Sequence, residues 1–240
     1  MIDKLKEYID GAENIVFFGG AGVSTESNIP DFRSQNGLYS QQYDYPPETI
    51  LSRTFFNANP KEFYRFYKNK MIFLNAKPNM AHIKLAELEN KGKLKAVITQ
   101  NIDGLHQAAG SKNVLELHGS VHRHYCVKCR AFHTLSSVLS KCEDNDNLPI
   151  CECGGLIKPD VVLYEEPLDG KVIEKSIKTM ARADLLIVGG TSLNVYPAAG
   201  LINYYNGDKI ALINKSVTPY DGRASLIIRR NIGEVLGGAI

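Results

Sequence analysis

Short apolar runs alternate with stretches of helical spacing along most of this chain. Residues 15–18, 96–99, 114–117, 161–164, 185–188 and 210–213 are rich in Val, Ile, Leu and Phe and read as buried strands. Residues 3–10, 60–74, 80–91, 171–181 and 196–205 carry apolar positions at the spacing of one helix face. Strands alternating with helices predict an α/β fold, a mostly parallel sheet with helices on both faces. Several of the strands run straight into polar residues: Thr99-Gln100-Asn101, His118-Gly119, Gly190-Thr191-Ser192 and Asn214. Open α/β sheets bind ligands at the carboxyl ends of their strands, so these groups are expected to converge on one crevice.

Two stretches break the alternation. Residues 36–79 are rich in Tyr and Phe, contain Pro46-Pro47, and space Phe55, Phe56, Phe63, Phe66 and Tyr67 as helices that pack aromatic rings do. An inserted helical lobe is expected there, with most of those rings in its core. Residues 121–158 hold all five cysteines and the string Glu143-Asp144-Asn145-Asp146-Asn147, which reads as a solvated loop tip. The expected organisation is a discontinuous sheet domain from 1–35, 80–120 and 159–240. A small domain would combine the helical lobe, 36–79, with the cysteine module, 121–158.

The 240 residues suffice for one sizeable core and a small satellite domain. Lys and Arg exceed Asp and Glu by only two, 28 against 26. That balance gives no electrostatic reason to expect nucleic acid or an anionic membrane as partner. No apolar run approaches the roughly 18 residues that span a bilayer. The first ten residues mix charge with Leu5, Tyr8 and Ile9 at helical spacing, without the apolar block of an export signal. A cytoplasmic protein is expected, and in that reducing compartment clustered thiols favour a metal over disulfides.

The run 15–18 opens into Gly19-Gly20-Ala21-Gly22-Val23-Ser24-Thr25. A strand that opens into glycines lets a pyrophosphate approach backbone N–H groups. An ordinary dinucleotide fingerprint would continue straight into a helix. Here Asn28-Ile29-Pro30-Asp31-Phe32-Arg33 follows, and Pro30 with the acid, the ring and the arginine predicts a loop folded over the ligand. Turns need glycine in any case. It is the pairing of the glycines with such a loop that points to a nucleotide.

Cys126-Val127-Lys128-Cys129 has the two-residue gap with which two thiolates reach one tetrahedral zinc ion. Cys151-Glu152-Cys153 supplies a second pair after a spacer of 21 residues, with a one-residue gap and Gly154-Gly155 behind it. Four thiolates close the coordination sphere, so a Zn2+ held by Cys126, Cys129, Cys151 and Cys153 is expected to be structural. The rival is a hairpin of free thiols, hard to stabilise in so polar a segment. Cys142 is an alternative to one of the short-gap pair. A thioredoxin-like redox role is not expected, because this Cys-x-x-Cys does not open the helix of a βα unit. A zinc ribbon for nucleic acid is disfavoured by the near-neutral charge and by the lack of a basic cluster beside the cysteines.

The strand 96–99 leads into Gln100-Asn101-Ile102-Asp103-Gly104-Leu105-His106, and the next leads into His118-Gly119-Ser120. An amide, a carboxylate and an imidazole are thus expected at neighbouring strand ends. A neutral imidazole is the natural general base near pH 7, and His118 is the candidate; in isolation a structural histidine would fit it as well. Asn101 and Asp103 suit a carboxamide, because a carboxylate accepts its N–H protons. Nicotinamide carries that group. His106, His122, His124 and His133 have weaker claims, and His122 and His124 are expected at the surface beside the cysteine module.

Six strings together resemble the sirtuins, in the family's order and over nearly the whole chain. They are Gly20-Ala21-Gly22-Val23-Ser24-Thr25, Ile29-Pro30-Asp31-Phe32-Arg33, Thr99-Gln100-Asn101-Ile102-Asp103, Leu117-His118-Gly119, Lys158-Pro159-Asp160-Val161-Val162 and Gly190-Thr191-Ser192-Leu193. The resemblance implies a Rossmann-like large domain and a small domain with a four-cysteine zinc. It implies an NAD-dependent protein lysine deacetylase, with NAD as co-substrate and acylated-lysine proteins as partners. The acyl group passes from lysine to ADP-ribose, nicotinamide is released, and zinc stays outside the reaction. A compact bacterial or archaeal member, acting as a monomer, is expected.

By the same resemblance Gly20, Ala21, Gly22, Thr25, Asp31, Phe32 and Arg33 would contact NAD around the phosphates and the nicotinamide ribose. Gln100 would bind ribose, and Asn101, Ile102 and Asp103 would form the nicotinamide pocket. Gly190, Thr191, Ser192 and Asn214 would hold phosphate and the adenosine ribose, with Ile232 near adenine. His118 would be the base, with Asn101 beside it in catalysis. Val162 and Tyr164 would lie in the strand that pairs with the substrate peptide.

The chain departs from the family pattern in several places. Asn28 stands where glycine is usual; asparagine tolerates left-handed backbone better than most residues. Leu163-Tyr164-Glu165-Glu166 replaces a Phe-Phe-Gly-Glu-like string, so Glu165 puts a carboxylate near the peptide channel. The second cysteine pair is one residue short. Members that prefer succinyl or malonyl lysine carry Tyr-x-x-Arg in the helical lobe, whereas this chain reads Tyr64-x-x-Tyr67, so neutral acyl groups are expected. The alternatives are a mono-ADP-ribosyltransferase on the same scaffold, hinted at by Glu165 alone, and a non-catalytic NAD or ADP-ribose sensor, which would need no base such as His118.

Overall fold

Strands made almost wholly of Val, Ile, Leu, Phe and Ala lie buried on both faces, as a covered parallel sheet requires. The computed structural model describes residues 1–32, 37, 44–144 and 148–240. Its main sheet contains β1 (Ile15–Gly19), β2 (Leu94–Thr99), β3 (Val114–Glu116), β7 (Leu185–Gly189), β8 (Ile210–Ile213) and β9 (Leu226–Ile228). Their order is β3-β2-β1-β7-β8-β9, every pair parallel. The order runs outward in both directions from β1 and β7, so the topological switch point lies between them.

Alternate side chains along β1 feed two cores. Ile15 and Phe17 join a cluster with Leu5 and Ile9 of α1 (Ile2–Asp10), Leu85 and Leu88 of α5 (Met80–Asn90), and Val235 and Leu236 of α9 (Ile232–Ala239). Val16 and Phe18 join the opposite cluster, with Met180 of α8 (Gly170–Met180) and Leu201 and Ile202 of a 3₁₀ segment, Ala198–Tyr204.

A second sheet of three antiparallel strands has the order β5-β4-β6, from β4 (Gly119–Cys126), β5 (Phe132–Thr134) and β6 (Ile157–Val161). It packs with α2 (Pro47–Ile50), α3 (Arg53–Ala58), α4 (Pro60–Lys70) and α7 (Leu135–Asp144). One hydrophobic cluster runs through both parts, from Phe56, Phe63, Tyr64 and Tyr67 to Cys126, Val138, Cys142 and Ile157.

Three stretches differ from the sequence reading. The strand expected at 161–164 is instead Ile157–Val161, in the small sheet. Pro159 argues against a strand interior, but β6 is an edge strand, where a missing N–H is tolerated. The helix expected at 196–205 is the 3₁₀ segment Ala198–Tyr204. Residues 226–228 and 232–239 form β9 and α9, which the local pattern did not announce. Gly237 and Gly238 are poor helix formers, and α9 rests on packing: Val235 and Leu236 are fully buried, and its second residue, Gly233, donates its N–H to Glu26 at 2.7 Å.

Three histidines are buried almost completely: His82, His106 and His124. His124 thus lies in the small-domain core rather than at the expected surface, with its Nε2 3.1 Å from the Tyr67 hydroxyl. The His82 and His106 rings pack with centroids 4.7 Å apart, and Phe17 lies 6.0 Å from His106. Burial depresses His82 to about 4, against a smaller opposing pull from Asp103. Burial also depresses His124 to about 4, reinforced by His122 and His133. Burial, then His82, pushes His106 well below the usual imidazole range. An unfolded chain binds protons at these imidazoles near pH 6.5 while the folded chain does not, so the slope of stability with pH is positive in that window. Thermal melts should show full stability above pH 6.5 and a progressive loss down to about pH 4. A melting temperature that stays flat across that window would contradict the burial argument.

Candidate active site at the switch point

The carboxyl ends of β1, β2, β7 and β8 meet the loop after β6 around a cavity of about 560 Å³. Its lining includes Ala21, Gly22, Asp31, Phe32, Gln100, Asn101, Ile102, Asp103, His118, Val162, Tyr164, Gly190, Thr191, Ser192 and Asn214. Sequence-predicted residues from seven separate stretches therefore meet in one place. Gly20 is buried just behind the lining, and Thr25 turns its hydroxyl back to the Gly22 carbonyl at 3.0 Å. Ile232 is buried in the core, with its Cδ1 against Gly189 rather than in the cavity. Arg33 lies outside the described residues.

The glycine turn lies directly on the turn after β7. The Gly22 N–H donates to the Gly190 carbonyl at 2.8 Å, and a Cβ on Gly22 would sit 2.8 Å from that same carbonyl oxygen. Gly190 has φ +59, and a Cβ there would lie 2.4 Å from the Val23 nitrogen. Two backbones approach here more closely than any side chain allows. Asn28 takes φ +62 in the left-handed region, the conformation its amide side chain tolerates.

Ser24, which the sequence reading did not single out, organises the floor. Its hydroxyl donates to Asp103 Oδ2 at 2.7 Å and accepts from Asn101 Nδ2 at 3.1 Å. Ser24 is 1% exposed, so the amide and the carboxylate are held by a contact shielded from water. Asp103 Oδ1 accepts the Leu105 N–H at the start of α6 (Leu105–Ala108). Asn79 Nδ2 donates to the Val23 carbonyl at 2.7 Å and to Ser27 Oγ at 3.0 Å, which pins the glycine turn to the start of α5. Gln100 Nε2 reaches Thr191 Oγ1 at 3.1 Å across the switch point.

His118 stands between β3 and β4. Its Nδ1 lies 3.0 Å from the Gln100 carbonyl, which can only accept, so Nδ1 carries the proton and Nε2 is left as the basic nitrogen. Burial lowers the His118 pKa, against a smaller upward pull from that hydrogen bond.

Residues 161–166 form another stretch of the cavity wall. The Val162 N–H donates to the His118 carbonyl at 3.0 Å. Tyr164 donates its N–H to the Leu51 carbonyl at 2.9 Å and accepts from the Arg53 N–H at 3.0 Å. Lys158 and Arg53 both pair with Glu166, at 2.9 and 3.0 Å, and Glu166 Oε2 also accepts the Leu163 N–H. Tyr64 and Tyr67, at the positions of the family's Tyr-x-x-Arg motif, are buried in the small-domain core, with hydroxyls on the Ile157 carbonyl and on His124.

The four cysteine sulfurs of Cys126, Cys129, Cys151 and Cys153 lie within 4.8 Å of one another. Cys126 and Cys153 are 3.4 Å apart, and Cys129 and Cys151 are 3.7 Å apart. Zn–S bonds of about 2.3 Å in a tetrahedron place sulfurs roughly 3.8 Å apart, so the set fits zinc. The N–H groups of Cys129 and Lys128 point at the Cys126 sulfur and hold its thiol down at about 6. A Cβ on Gly155 would lie 2.7 Å from that sulfur, so the turn needs glycine there. Cys142 lies outside the group of four, buried beside the lobe aromatics.

A doubly wound sheet with a nucleotide-type cavity at its switch point and a four-cysteine module beside it defines a class of dinucleotide-dependent enzyme. The profile of the Sir2 family matches residues 20–197. An NAD-dependent protein deacetylase of Clostridium acetobutylicum is 58% identical over 98% of this chain and 96% of its own length. One from Clostridium perfringens is 59% identical over the whole of this chain and 98% of its own length. The solved structure of Sir2 bound to acetylated peptide is 42% identical, with a TM-score of 0.87 over 98% of this chain and 95% of that one. A Sir2–p53 peptide–NAD+ complex is 42% identical, with a TM-score of 0.88 over the same shares. The chain belongs to the Sir2 family, the sirtuins.

Proposed function

We propose that this chain is an NAD-dependent protein lysine deacetylase whose base is His118. The observation that carries the reading is the His118 imidazole on the cavity wall, with Nδ1 committed to Gln100 and Nε2 left basic. The curated relatives named NAD-dependent protein deacetylases support it. NAD, when bound, supplies an electrophilic ribose carbon whose leaving group is nicotinamide. The chain's own part is to bind, orient and move protons. In this reading the glycine turn and Thr191-Ser192 hold phosphates and ribose. Asn101 and Asp103, fixed by Ser24, hold the carboxamide, and Nε2 of His118 takes a ribose hydroxyl proton. Zinc at Cys126, Cys129, Cys151 and Cys153 supplies no step; it holds the small domain in shape.

The reading divides the chain as the alternation suggested, into a sheet domain from 1–35, 80–120 and 159–240 and a small domain from 36–79 and 121–158. The shared cluster of lobe aromatics and cysteines supports joining the last two. The strands of the small sheet run slightly past those bounds, from Gly119 and to Val161. A monomer is expected, and light scattering should report it. Four cysteines gathered as a zinc site agree with work in a reducing cytoplasm. Glu165, the one hint of mono-ADP-ribosyl transfer, has a carboxylate oxygen tied to Thr54 instead.

The test is turnover of acyl-lysine peptides with and without NAD, read as nicotinamide and O-acyl-ADP-ribose. Acetyl-lysine should react and succinyl-lysine should lag by at least about tenfold in kcat/KM, because burying an unpaired carboxylate costs several kcal/mol. Among the described residues the cavity wall carries the carboxylates of Asp31, Asp103, Glu165 and Glu166 against the ammonium of Lys70. A succinyl preference would overturn that expectation and direct attention to Lys70→Ala.

A further inference from the structure

We propose that Glu165 is a positioning residue, one that holds the peptide-facing wall of the cavity by clamping it to the first turn of α3. The inference rests on the deacetylase reading for its substrate and on geometry for the clamp. Glu165 has φ +75, a left-handed conformation that glycine enters freely and a glutamate enters only against strain. Its side chain offsets that strain: Oε2 accepts the Thr54 N–H at 2.9 Å and the Thr54 hydroxyl at 2.7 Å. The neighbouring residues run alongside the same turn, with a parallel bridge between Ser52 and Tyr164 and the Arg53–Glu166 pair.

The clamp lies where the wall borders a second, open depression. Tyr164 and Glu165 line the main cavity and also an adjoining hollow of about 470 Å³, bordered by Glu48, Thr49, Thr54, Phe55 and Asn59. Side chains packed on both faces fix most of the core, but a wall with a hollow beside it depends on its hydrogen bonds. Contacts to residues 51–54 tie 164–166 to the lobe. Releasing Oε2 frees the wall to shift toward the hollow, and the peptide must then order it on binding. The cost falls on peptide affinity, not on NAD or on the proton transfer at His118.

Four variants test this in the full-length, zinc-loaded chain: Glu165→Ala, Glu165→Gln, Thr54→Val and the double variant Glu165→Ala with Thr54→Val. Steady-state kinetics use one acetyl-lysine peptide, its direct binding is followed by fluorescence anisotropy, and exchange of the Thr54 amide is followed by hydrogen exchange. Glu165→Ala should raise the peptide KM and Kd roughly three- to tenfold, with kcat and the NAD KM unchanged, and should speed Thr54 amide exchange. Glu165→Gln keeps an amide oxygen for both Thr54 donors and should stay within about twofold of wild type. Thr54→Val should raise the peptide KM less than Glu165→Ala does, and the double variant should be no worse than Glu165→Ala. Unchanged peptide KM and Thr54 exchange in Glu165→Ala would overturn the clamp, as would a parallel loss in kcat and NAD KM. Failure of the wild-type chain to deacetylate would overturn the functional reading alone, since anisotropy and exchange still report the clamp. Failure to bind the peptide would overturn both.

Discussion

Replacing His118 with alanine should lower deacetylation by about 10²-fold or more while NAD binding persists. That factor is at least about 2.7 kcal/mol of transition-state stabilisation. The expectation rests on which nitrogen is free. The Gln100 carbonyl fixes the proton on Nδ1, and Nε2 remains the basic atom on the cavity wall. Because burial lowers the His118 pKa, the neutral form persists below the usual imidazole value. The acid limb of kcat/KM should therefore lie below about pH 6.5, with activity full above it and lost as pH falls through the depressed pKa. The alanine variant should lose that limb together with the rate. NAD binding, read by calorimetry, should change little, since the phosphate and carboxamide groups belong to other strand ends. Turnover near the wild-type rate in His118→Ala would remove His118 from the mechanism.

The sequence made some of this legible because the chemistry lies at strand ends. Buried parallel strands announce themselves as unbroken apolar runs, and the residue type changes abruptly where each one stops. Gln100, Asn101, His118, Thr191 and Asn214 could thus be picked out, and the structure gathers all five on one cavity. The cysteine pairs were legible for a different reason: two short gaps leave thiolates few geometries. Contacts between distant segments were not legible. Ser24 is an ordinary turn serine until Asp103 and Asn101 are seen on it, 79 and 77 residues away. Asn79 looks like a helix cap, and it is one, but its amide also pins the glycine turn. Tyr64 sits where the family's Tyr-x-x-Arg motif begins, and its hydroxyl is used by the Ile157 carbonyl. Helix periodicity says which face is buried, not what it is buried against, and the lobe's partner is the cysteine module. The glycines of α9 hide a helix that only packing sustains.

Removing the metal should unfold the small domain as a whole, not only the cysteine turns. Cys126 and Cys151 are buried in the same cluster as Phe56, Phe63, Tyr64 and Tyr67, so the four-cysteine group and the helical lobe share one core. Binding of structural zinc is worth about 10–16 kcal/mol in small zinc modules, as large as the entire stability of a typical domain, about 5–15 kcal/mol. Single alanine replacements of Cys126, Cys129, Cys151 or Cys153 should each lower zinc content from one per chain and broaden or abolish the low-temperature part of the melt. Gly155→Ala should do the same with all four thiols intact, because its Cβ would press on the Cys126 sulfur. Cys142→Ala should keep the full zinc content and cost only about 1 kcal/mol, as removal of one small buried atom does. A chelator should reproduce the cysteine variants in the wild-type chain, and added Zn2+ should reverse it. Deacetylation should fall with the small domain, since Tyr164 is held against Leu51 and Arg53 of the lobe. Metal analysis that finds Cys142 required and Cys151 or Cys153 dispensable would show that the ligand set is wrong. A chelated chain with an unchanged melt would show that the cluster does not hold the domain.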